Sequence, residues 1–303
     1  NTSRLTTGML GSVSKQTLSY IVLGCILVAG IGLRLVGVGD PVWLDESISL
    51  LQAQPSLSES ITLLQEDVHV PLYTLILNVW IGLFGDGVWT VRALSILFAV
   101  LTMISMYVLG RTFFDETTGL YATAFFAASE MFIHYGQEIR PYSLFVLFTV
   151  LSFYFYLSSV RRGKHIVWYT GVNVLLCYTH PFALFAIASQ CLHYGLILMK
   201  ESSFSLSRNM LVSYLVTGLA FAPWLPTLLQ QTQDSSYSWI DPVSLSSVAS
   251  SYLAYISYGG VAVLAILLAY HGFPWLKTQS LMSRNDGVLL AWFVIPSALL
   301  ILG

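Results

Sequence analysis

Long apolar runs alternate with short polar connections along most of this chain. A membrane-spanning helix needs roughly 20 apolar residues, and nine runs approach that length. We therefore predict spanning helices near residues 18–38, 91–110, 118–137, 141–159, 166–179, 181–199, 209–229, 248–270 and 287–303.

One apolar run does not fit this series. The sequence "VPLYTLILNVWIGLF", residues 70–84, is only 15 residues long. That length suits an interfacial or re-entrant helix better than a spanning one.

Composition supports a membrane protein. Of the 303 residues 56% are hydrophobic and 9% are charged, whereas soluble domains carry about 25% charged residues. The net charge of −2 gives no indication of nucleic-acid binding. We predict an all-α polytopic membrane protein, and the lipid bilayer is the solvent for most of its apolar surface.

The basic residues support a model in which residues 70–84 do not cross the membrane. In that model ten of the thirteen lysines and arginines fall on one face, which the positive-inside rule makes cytoplasmic. Only Arg34, Arg92 and Arg140 lie near the other face. Residues 39–90 then form one long external loop with many acidic residues and no lysine or arginine. The connections 135–142, 177–181 and 231–242 emerge on the same side.

Four polar clusters meet on this predicted external face, and each has a structural explanation as well as a functional one. In "WLDESISLLQA", Asp45 and Glu46 fit the acidic first turn of an amphipathic helix, but also a general base or a metal ligand. In "DVHVPLY", Asp67 and His69 precede a proline that begins the short helix. They fit a helix cap beside a solvated histidine, or a contact to an anion or a metal.

The sequence "YGQEIRPY" places Glu138, Arg140 and Tyr142 in a tight turn between two predicted spans. An arginine on the cation-poor face requires an acidic partner or an anionic ligand, so Arg140 fits an ion pair with Glu138 or a phosphate contact. Glu130 is spaced four residues from His134, which would place these residues and Glu138 along one helical face. They suggest a polar seam within the bundle or, less well, a metal site.

The sequence "YTHPF" places His180 between two predicted spans on the same rim. A histidine in such a turn is often only solvated. Its position beside the other polar clusters makes it a candidate for the same site.

The ordered series "WLDE", "HVPLYTLILNVWIGLFG", "YGQEIRPYSLF" and "YTHPFALF" resembles polytopic glycosyltransferases of the protein O-mannosyltransferase and aminoarabinose transferase type, which have the GT-C fold. The resemblance covers residues 20 to about 200. It implies that a sugar moves from a polyprenyl or dolichyl phosphate to a protein, glycan or lipid acceptor at the outer membrane face.

The resemblance also implies site roles. It makes Asp45, Glu46 and Glu138 the catalytic carboxylates. With the chemistry of the side chains, it assigns donor phosphate binding to the following four residues: His69, Arg140, Tyr142 and His180. The resemblance fixes no cofactor, and a divalent metal remains a candidate, with Asp45, Asp67 and His69 as its candidate ligands. "HVP" stands where the family often has two prolines.

We expect hexosyl or pentosyl transfer by direct displacement with inversion, on the extracytoplasmic side of the plasma membrane. We expect residues 1–17 to form a cytoplasmic N-terminal segment, residues 18–200 a GT-C catalytic module that includes loop 39–90, and residues 201–303 further transmembrane helices with a truncated C-terminus. Two alternatives stay open: a multi-span lipid or solute transporter, and an inactive subunit of the same ancestry. Transporters usually place their polar site near the bilayer midplane.

Overall fold

The computed structural model describes residues 14–199 and 204–233. This part of the chain is helical and contains no strand, which confirms the predicted all-α membrane fold. Its helices in chain order are α1 (Lys15–Leu35), α2 (Leu44–Ala53), α3 (Leu57–Gln65), α4 (Leu72–Phe84), α5 (Val88–Phe113), α6 (Glu116–Ala128), α7 (Glu130–His134), α8 (Tyr142–Arg162), α9 (Ile166–Cys177), α10 (Ala183–Leu198), α11 (Phe204–Phe221) and α12 (Leu225–Gln233). The predicted spans at 248–270 and 287–303 lie outside the described residues.

The long helices form one bundle. Helix α5 packs against α6 and α8, α9 packs against α8 and α11, and α1 packs against α6. Four segments are long and apolar enough to cross a membrane: Lys15–Leu35, Val88–Phe113, Tyr142–Arg162 and Arg208–Gln231. Helices α9 and α10, predicted as spans, are apolar but only 12 and 16 residues long.

Two glycines bring α5 and α6 into very close contact. A Cβ atom on Gly110 would lie 2.5 Å from the Cα of Gly119, and one on Gly119 would lie 2.7 Å from the carbonyl oxygen of Tyr107. Small residues allow helix backbones to approach in this way. The glycine pair therefore fixes how the α5–α6 hairpin packs.

Charge divides the bundle into two ends. The site end carries connections 36–43, 85–87, 135–141 and 178–182, and the basic end carries connections 114–115 and 163–165. Among the described residues, Arg34, Arg92 and Arg140 at the site end are all buried. The other described cations are all exposed and belong to the basic end: Lys15, Arg111, Arg161, Arg162, Lys164 and Arg208.

Helix α4 lies at the site end, as its length predicts. Its 13 residues span about 20 Å, less than the roughly 30 Å hydrocarbon core. Near its start, the Leu72 amide donates to the Tyr178 carbonyl at the end of α9, 2.9 Å away. Near its end, Trp80 Nε1 donates to the Thr90 carbonyl at the start of α5, 2.8 Å away. Both ends of α4 are thus attached to the same end of the bundle.

The predicted helix at 118–137 is wrong as one continuous element, because the chain breaks at Ser129. This residue has an extended backbone, with φ −71° and ψ 122°. Arg34 in α1 stabilises the break: its guanidinium donates to the carbonyls of Phe126 and Ala127, at the end of α6, and to that of Phe132 in α7. These bonds satisfy carbonyls that a helix terminus leaves without partners.

The break also changes the position of Glu130. We predicted Glu130 on one helical face with His134 and Glu138, as part of a polar seam within the bundle. It instead begins the short helix α7 and is exposed. Glu138 lies beyond the end of α7, in the connection to α8.

A second interruption separates α11 from α12, within the predicted span 209–229. A 3₁₀ turn, Ala222–Trp224, joins the two helices and contains Pro223 near its start. A proline removes a backbone donor and disfavours a continuous α-helix. The region is still helical from end to end, as predicted.

Candidate functional site

Asp45 and Glu46 begin helix α2, and their side chains take opposite directions. Glu46 is fully buried, whereas the Asp45 side chain is 37% exposed. Both lie in the first turn of α2, where negative charge interacts favourably with the helix dipole. The structural explanation therefore applies to both residues, and only Asp45 also faces open space.

Glu46 is held by four hydrogen bonds. Arg92 of α5 donates from Nε to Oε1 at 3.1 Å and from Nη2 to Oε2 at 2.6 Å. The Ile139 amide donates to Oε1 at 3.0 Å, and the Trp43 amide donates to Oε2 at 3.4 Å. Both carboxylate oxygens of Glu46 are thus occupied by protein donors, which leaves this side chain no evident contact for a substrate.

Arg92 connects this pair to the end of α1. Its Nη1 donates to the carbonyls of Val38 and Asp40, both at 2.9 Å. A buried guanidinium is tolerated because its donors are paired with a carboxylate and with carbonyls. Glu46 and Arg92 together therefore join the α1–α2 connection, α2, α5 and the 138–141 turn.

Arg140 lies beside the Asp45 side chain. Its Nη2 lies 3.6 Å from Asp45 Oδ2, and its Nη1 makes long contacts of 3.4 Å to the Asp45 carbonyl and the Ser49 hydroxyl. Its Nε is buried without any partner. Arg140 is therefore buried, yet it is much less completely bonded than Arg92, and it pairs with Asp45 rather than with Glu138.

The shortest contact of Arg140 is to His69. Arg140 Nη2 donates to His69 Nε2 at 2.9 Å, and His69 Nδ1 lies 2.8 Å from Asp67 Oδ2. A guanidinium can only donate, so His69 Nε2 is the acceptor and the ring proton lies on Nδ1, directed at Asp67. The histidine is thus oriented by a carboxylate on one side and an arginine on the other.

Asp67 receives a further hydrogen bond, from Gln52 Nε2 of α2. Burial alone would raise the pKa of Asp67, but the bonds from His69 and Gln52 outweigh it and hold the pKa well below its usual range. Asp67 therefore stays ionised and keeps the His69 proton on Nδ1.

Glu138 has a different environment. Its Oε1 lies 3.0 Å from Nε2 of His134, whose side chain is 66% exposed, while its Oε2 is buried without a partner. Burial raises the pKa of Glu138, and the charges of Glu46 and Asp45 act in the same direction against His134 and Arg140. This carboxyl group retains a proton more readily than an ordinary glutamic acid does.

His180 and Tyr142 lie beside the same arginine. The Arg140 guanidinium carbon is 5.8 Å from the Tyr142 ring centroid, and the rings of Tyr142 and His180 are 5.9 Å apart. Burial lowers the pKa of His180 to about 4, and the positive charge of Arg140 acts in the same direction. His180 Nδ1 accepts from the Phe182 amide at 3.1 Å, so in the neutral ring the proton lies on Nε2.

The candidate metal ligands Asp45, Asp67 and His69 already have protein partners. In the described ranges, no group of three or more His, Cys, Asp or Glu side chains is arranged to hold a metal ion. Of the three candidate ligands, Asp67 and His69 bond to each other, and Asp45 faces Arg140.

The structure thus brings the four predicted clusters together, and it adds residues that sequence reasoning missed. Ser49 contacts Arg140, Gln52 contacts Asp67, and Ser95 donates to the Glu138 carbonyl. Arg92 did carry a signal, because it is one of three cations near a cation-poor face. The small polar residues carried none, because serine and glutamine are common on helices.

This architecture defines a class of protein: an integral membrane protein with a polar site at one end of its helical bundle. A family model described as dolichyl-phosphate-mannose-protein mannosyltransferase matches residues 68–229, just over half of the chain. The chain belongs to this family, and it is a membrane glycosyltransferase that uses polyprenyl-phosphate-linked sugar donors. The matched range contains His69, Glu138, Arg140 and His180, and it begins after Asp45. No individual curated protein matches the chain.

Proposed function

We propose that the site transfers a sugar from a polyprenyl phosphate to an acceptor hydroxyl at the extracytoplasmic face, with Asp45 as general base and Arg140 as the main phosphate ligand. One observation carries this proposal: a buried, incompletely bonded arginine lies directly beside a partly exposed carboxylate. The first is what an anionic leaving group requires, and the second is what a hydroxyl nucleophile requires.

The contacts of Arg140 support phosphate binding. Three of its contacts are 3.4 Å or longer, and its Nε has no partner. A phosphate would offer two oxygens to the planar fork of the guanidinium. His180 can add a neutral donor from Nε2, and Tyr142 lies beside the guanidinium. His69 accepts from Arg140 and is proposed to orient it.

The reaction then needs one proton transfer and one displacement. The acceptor O–H gives its proton to the Asp45 carboxylate as its oxygen attacks the anomeric carbon. The bond from that carbon to the phosphate oxygen breaks, and its electron pair stays on the phosphate. The leaving polyprenyl phosphate gains one negative charge, which Arg140 stabilises. A single displacement of this kind inverts the anomeric configuration.

The other two carboxylates receive different roles. Glu46, whose oxygens are occupied, is proposed as a positioning residue that acts with Arg92 on the start of α2 and on the 138–141 turn. Glu138, with its raised pKa and its unpartnered Oε2, is proposed to form a hydrogen bond to a sugar or acceptor hydroxyl. Of the three carboxylates, Asp45 is the most exposed, with 37% of its side chain exposed against 7% for Glu138.

The proposal includes the membrane face on which the site lies, the sugar and the acceptor. The described exposed cations belong to the basic end, so the positive-inside rule favours an extracytoplasmic site, and we propose the plasma membrane as its location. The family description names protein mannosyltransferases, so we propose mannose and a protein hydroxyl as the first sugar and acceptor to test. A glycan and a lipid are the next acceptors.

The experiment is a donor panel. Purified protein is incubated with polyprenyl phosphates carrying mannose, glucose, galactose or aminoarabinose, with peptide, glycan or lipid acceptors, and with or without a chelator. We expect release of free polyprenyl phosphate with at least one donor, matched mole for mole by glycosylated acceptor. Absence of release with every donor and acceptor would contradict the proposal.

A further inference from the structure

A row of aromatic rings passes the proposed phosphate site. Its members follow each other at centroid distances of 4.7–5.9 Å, which are typical of interacting ring pairs. In spatial order the row consists of His134, Tyr135, Tyr142, His180, Phe182 and Phe185. Arg140 lies beside its middle, at Tyr142.

The two ends of this row differ in polarity. At one end His134 bonds to Glu138, close to Asp45. At the other end Phe182 and Phe185 stand at the start of α10, and their side chains carry no hydrogen-bonding group. The Phe182 side chain is 49% exposed. The row therefore runs from a polar region, past the Arg140 guanidinium, to an apolar surface at the start of α10.

We propose that His180, Phe182 and Phe185 bind the first isoprene units of the donor lipid, so that the donor lies along the row with its sugar toward Asp45 and Glu138. This inference rests on the proposed function, and it assigns the lipid side and the sugar side of that site. A polyprenyl-phosphate sugar has the same order of parts as the row: a polar group, a phosphate and an apolar chain.

An isoprene unit suits the phenylalanine end better than a sugar does. It is flat, branched and apolar, so its burial against aromatic rings needs no hydrogen-bond partner. A sugar buried there would lose hydrogen bonds to water without replacement. The row also continues directly from His180 beside the phosphate site to Phe182, 4.8 Å between centroids. A lipid that leaves the phosphate can therefore enter the bilayer along this path.

The test compares two probes that share a phosphate but differ in lipid. The Ki values of geranyl phosphate and inorganic phosphate, as inhibitors that compete with the donor, are measured for the purified wild-type protein and for Phe182→Ala. We expect the Ki of geranyl phosphate to rise about tenfold, because the variant loses the apolar contact surface of one aromatic ring. The Ki of inorganic phosphate should stay unchanged.

Two further variants make the result specific. Leu184→Ala removes an apolar side chain that is 52% exposed and lies between the two phenylalanines in sequence, and it should change neither Ki. Phe182→Leu keeps an apolar side chain and should restore most of the geranyl phosphate affinity, which a folding defect would not do.

Other outcomes overturn the inference. An unchanged Ki for geranyl phosphate would remove Phe182 from lipid binding. A raised KM for the acceptor alone would assign the row to the acceptor instead. Arg140→Gln, measured in parallel, distinguishes failure of the proposed phosphate site from failure of the proposed lipid path. If Arg140→Gln leaves both Ki values unchanged, the phosphate site itself is wrong. If Arg140→Gln raises the Ki values but Phe182→Ala does not raise that of geranyl phosphate, only the lipid path is contradicted.

Discussion

Asp45 and Glu46 are consecutive residues of α2, but Glu46 is fully buried against Arg92 at 2.6 Å while the Asp45 side chain is 37% exposed beside Arg140. Because consecutive residues of a helix point in different directions, Glu46 is a structural carboxylate and Asp45 is one that can contact a substrate. The roles proposed for the two residues differ accordingly, and so do the expected effects of replacing them.

We expect Glu46→Gln to destabilise the fold. Breaking a buried ion pair leaves an uncompensated charge and typically costs about 3–5 kcal/mol, here on Arg92. The measurement is thermal unfolding in detergent, with Glu66→Gln as the control, because Glu66 is an exposed glutamate of the same loop. Equal melting temperatures for the two variants would contradict the positioning role of Glu46.

We expect Arg140→Gln to weaken donor binding about 10–100-fold, because hydrogen bonds to charged groups contribute roughly 1.5–3 kcal/mol. Arg140→Lys keeps the charge without the planar fork, so its affinity should be intermediate. Inhibition by free polyprenyl phosphate measures this effect. Arg111→Gln, an exposed arginine of the basic end, should leave inhibition unchanged, and an equal loss in that variant would point to a general effect of charge.

The raised pKa of Glu138 predicts a pH-dependent stability. A carboxyl group whose pKa is higher in the folded than in the unfolded state stabilises the fold below its unfolded pKa, about 4.3. This contribution is lost as the pH rises through the folded pKa. Melting temperatures of the wild type should therefore fall relative to those of Glu138→Gln as the pH rises above about 4.3. Parallel curves would show that burial does not perturb Glu138.

The close crossing of α5 and α6 predicts a local sensitivity to size. Gly119→Ala should lower the melting temperature, because the added methyl group would overlap the Tyr107 carbonyl and the overpacking costs about 1–3 kcal/mol. Gly82→Ala, on α4, has no atom within 4 Å of the added Cβ and should be neutral or slightly stabilising. A neutral Gly119→Ala would mean that the helices do not cross this closely.

The orientation of the site can be tested with single cysteines in a background lacking Cys25, Cys177 and Cys191. An impermeant thiol reagent applied outside intact cells should label Ser58→Cys and His134→Cys, which are exposed at the site end. It should label Lys164→Cys, exposed at the basic end, only after permeabilisation. Labelling of Ser58→Cys and His134→Cys on opposite faces would mean that α4 crosses the membrane.

The sequence allowed the helical bundle and the proximity of the four polar clusters to be predicted, because apolar length and the sorting of basic residues are properties of segments. The position of residues 70–84 at one end of the bundle follows from their length. The proximity of His69, Arg140 and His180 follows from the predicted topology. These inferences need no side-chain geometry.

The unpredicted features depend on contacts between residues distant in sequence. The break at Ser129 is stabilised by Arg34, which precedes Phe126 by 92 residues. The difference between Asp45 and Glu46 depends on Arg92, 46 residues away. No local pattern distinguishes the two carboxylates, because both are suited to the first turn of a helix.

The most direct measurement compares Asp45→Asn with the wild type in the glycosyl-transfer assay. Removal of a general base should lower kcat about 10²–10⁴-fold, while the Ki of free polyprenyl phosphate and the melting temperature stay close to the wild-type values. Asp86→Asn, the same substitution at an exposed position of the same loop, should retain full activity. Unchanged kcat in Asp45→Asn would contradict the proposed mechanism.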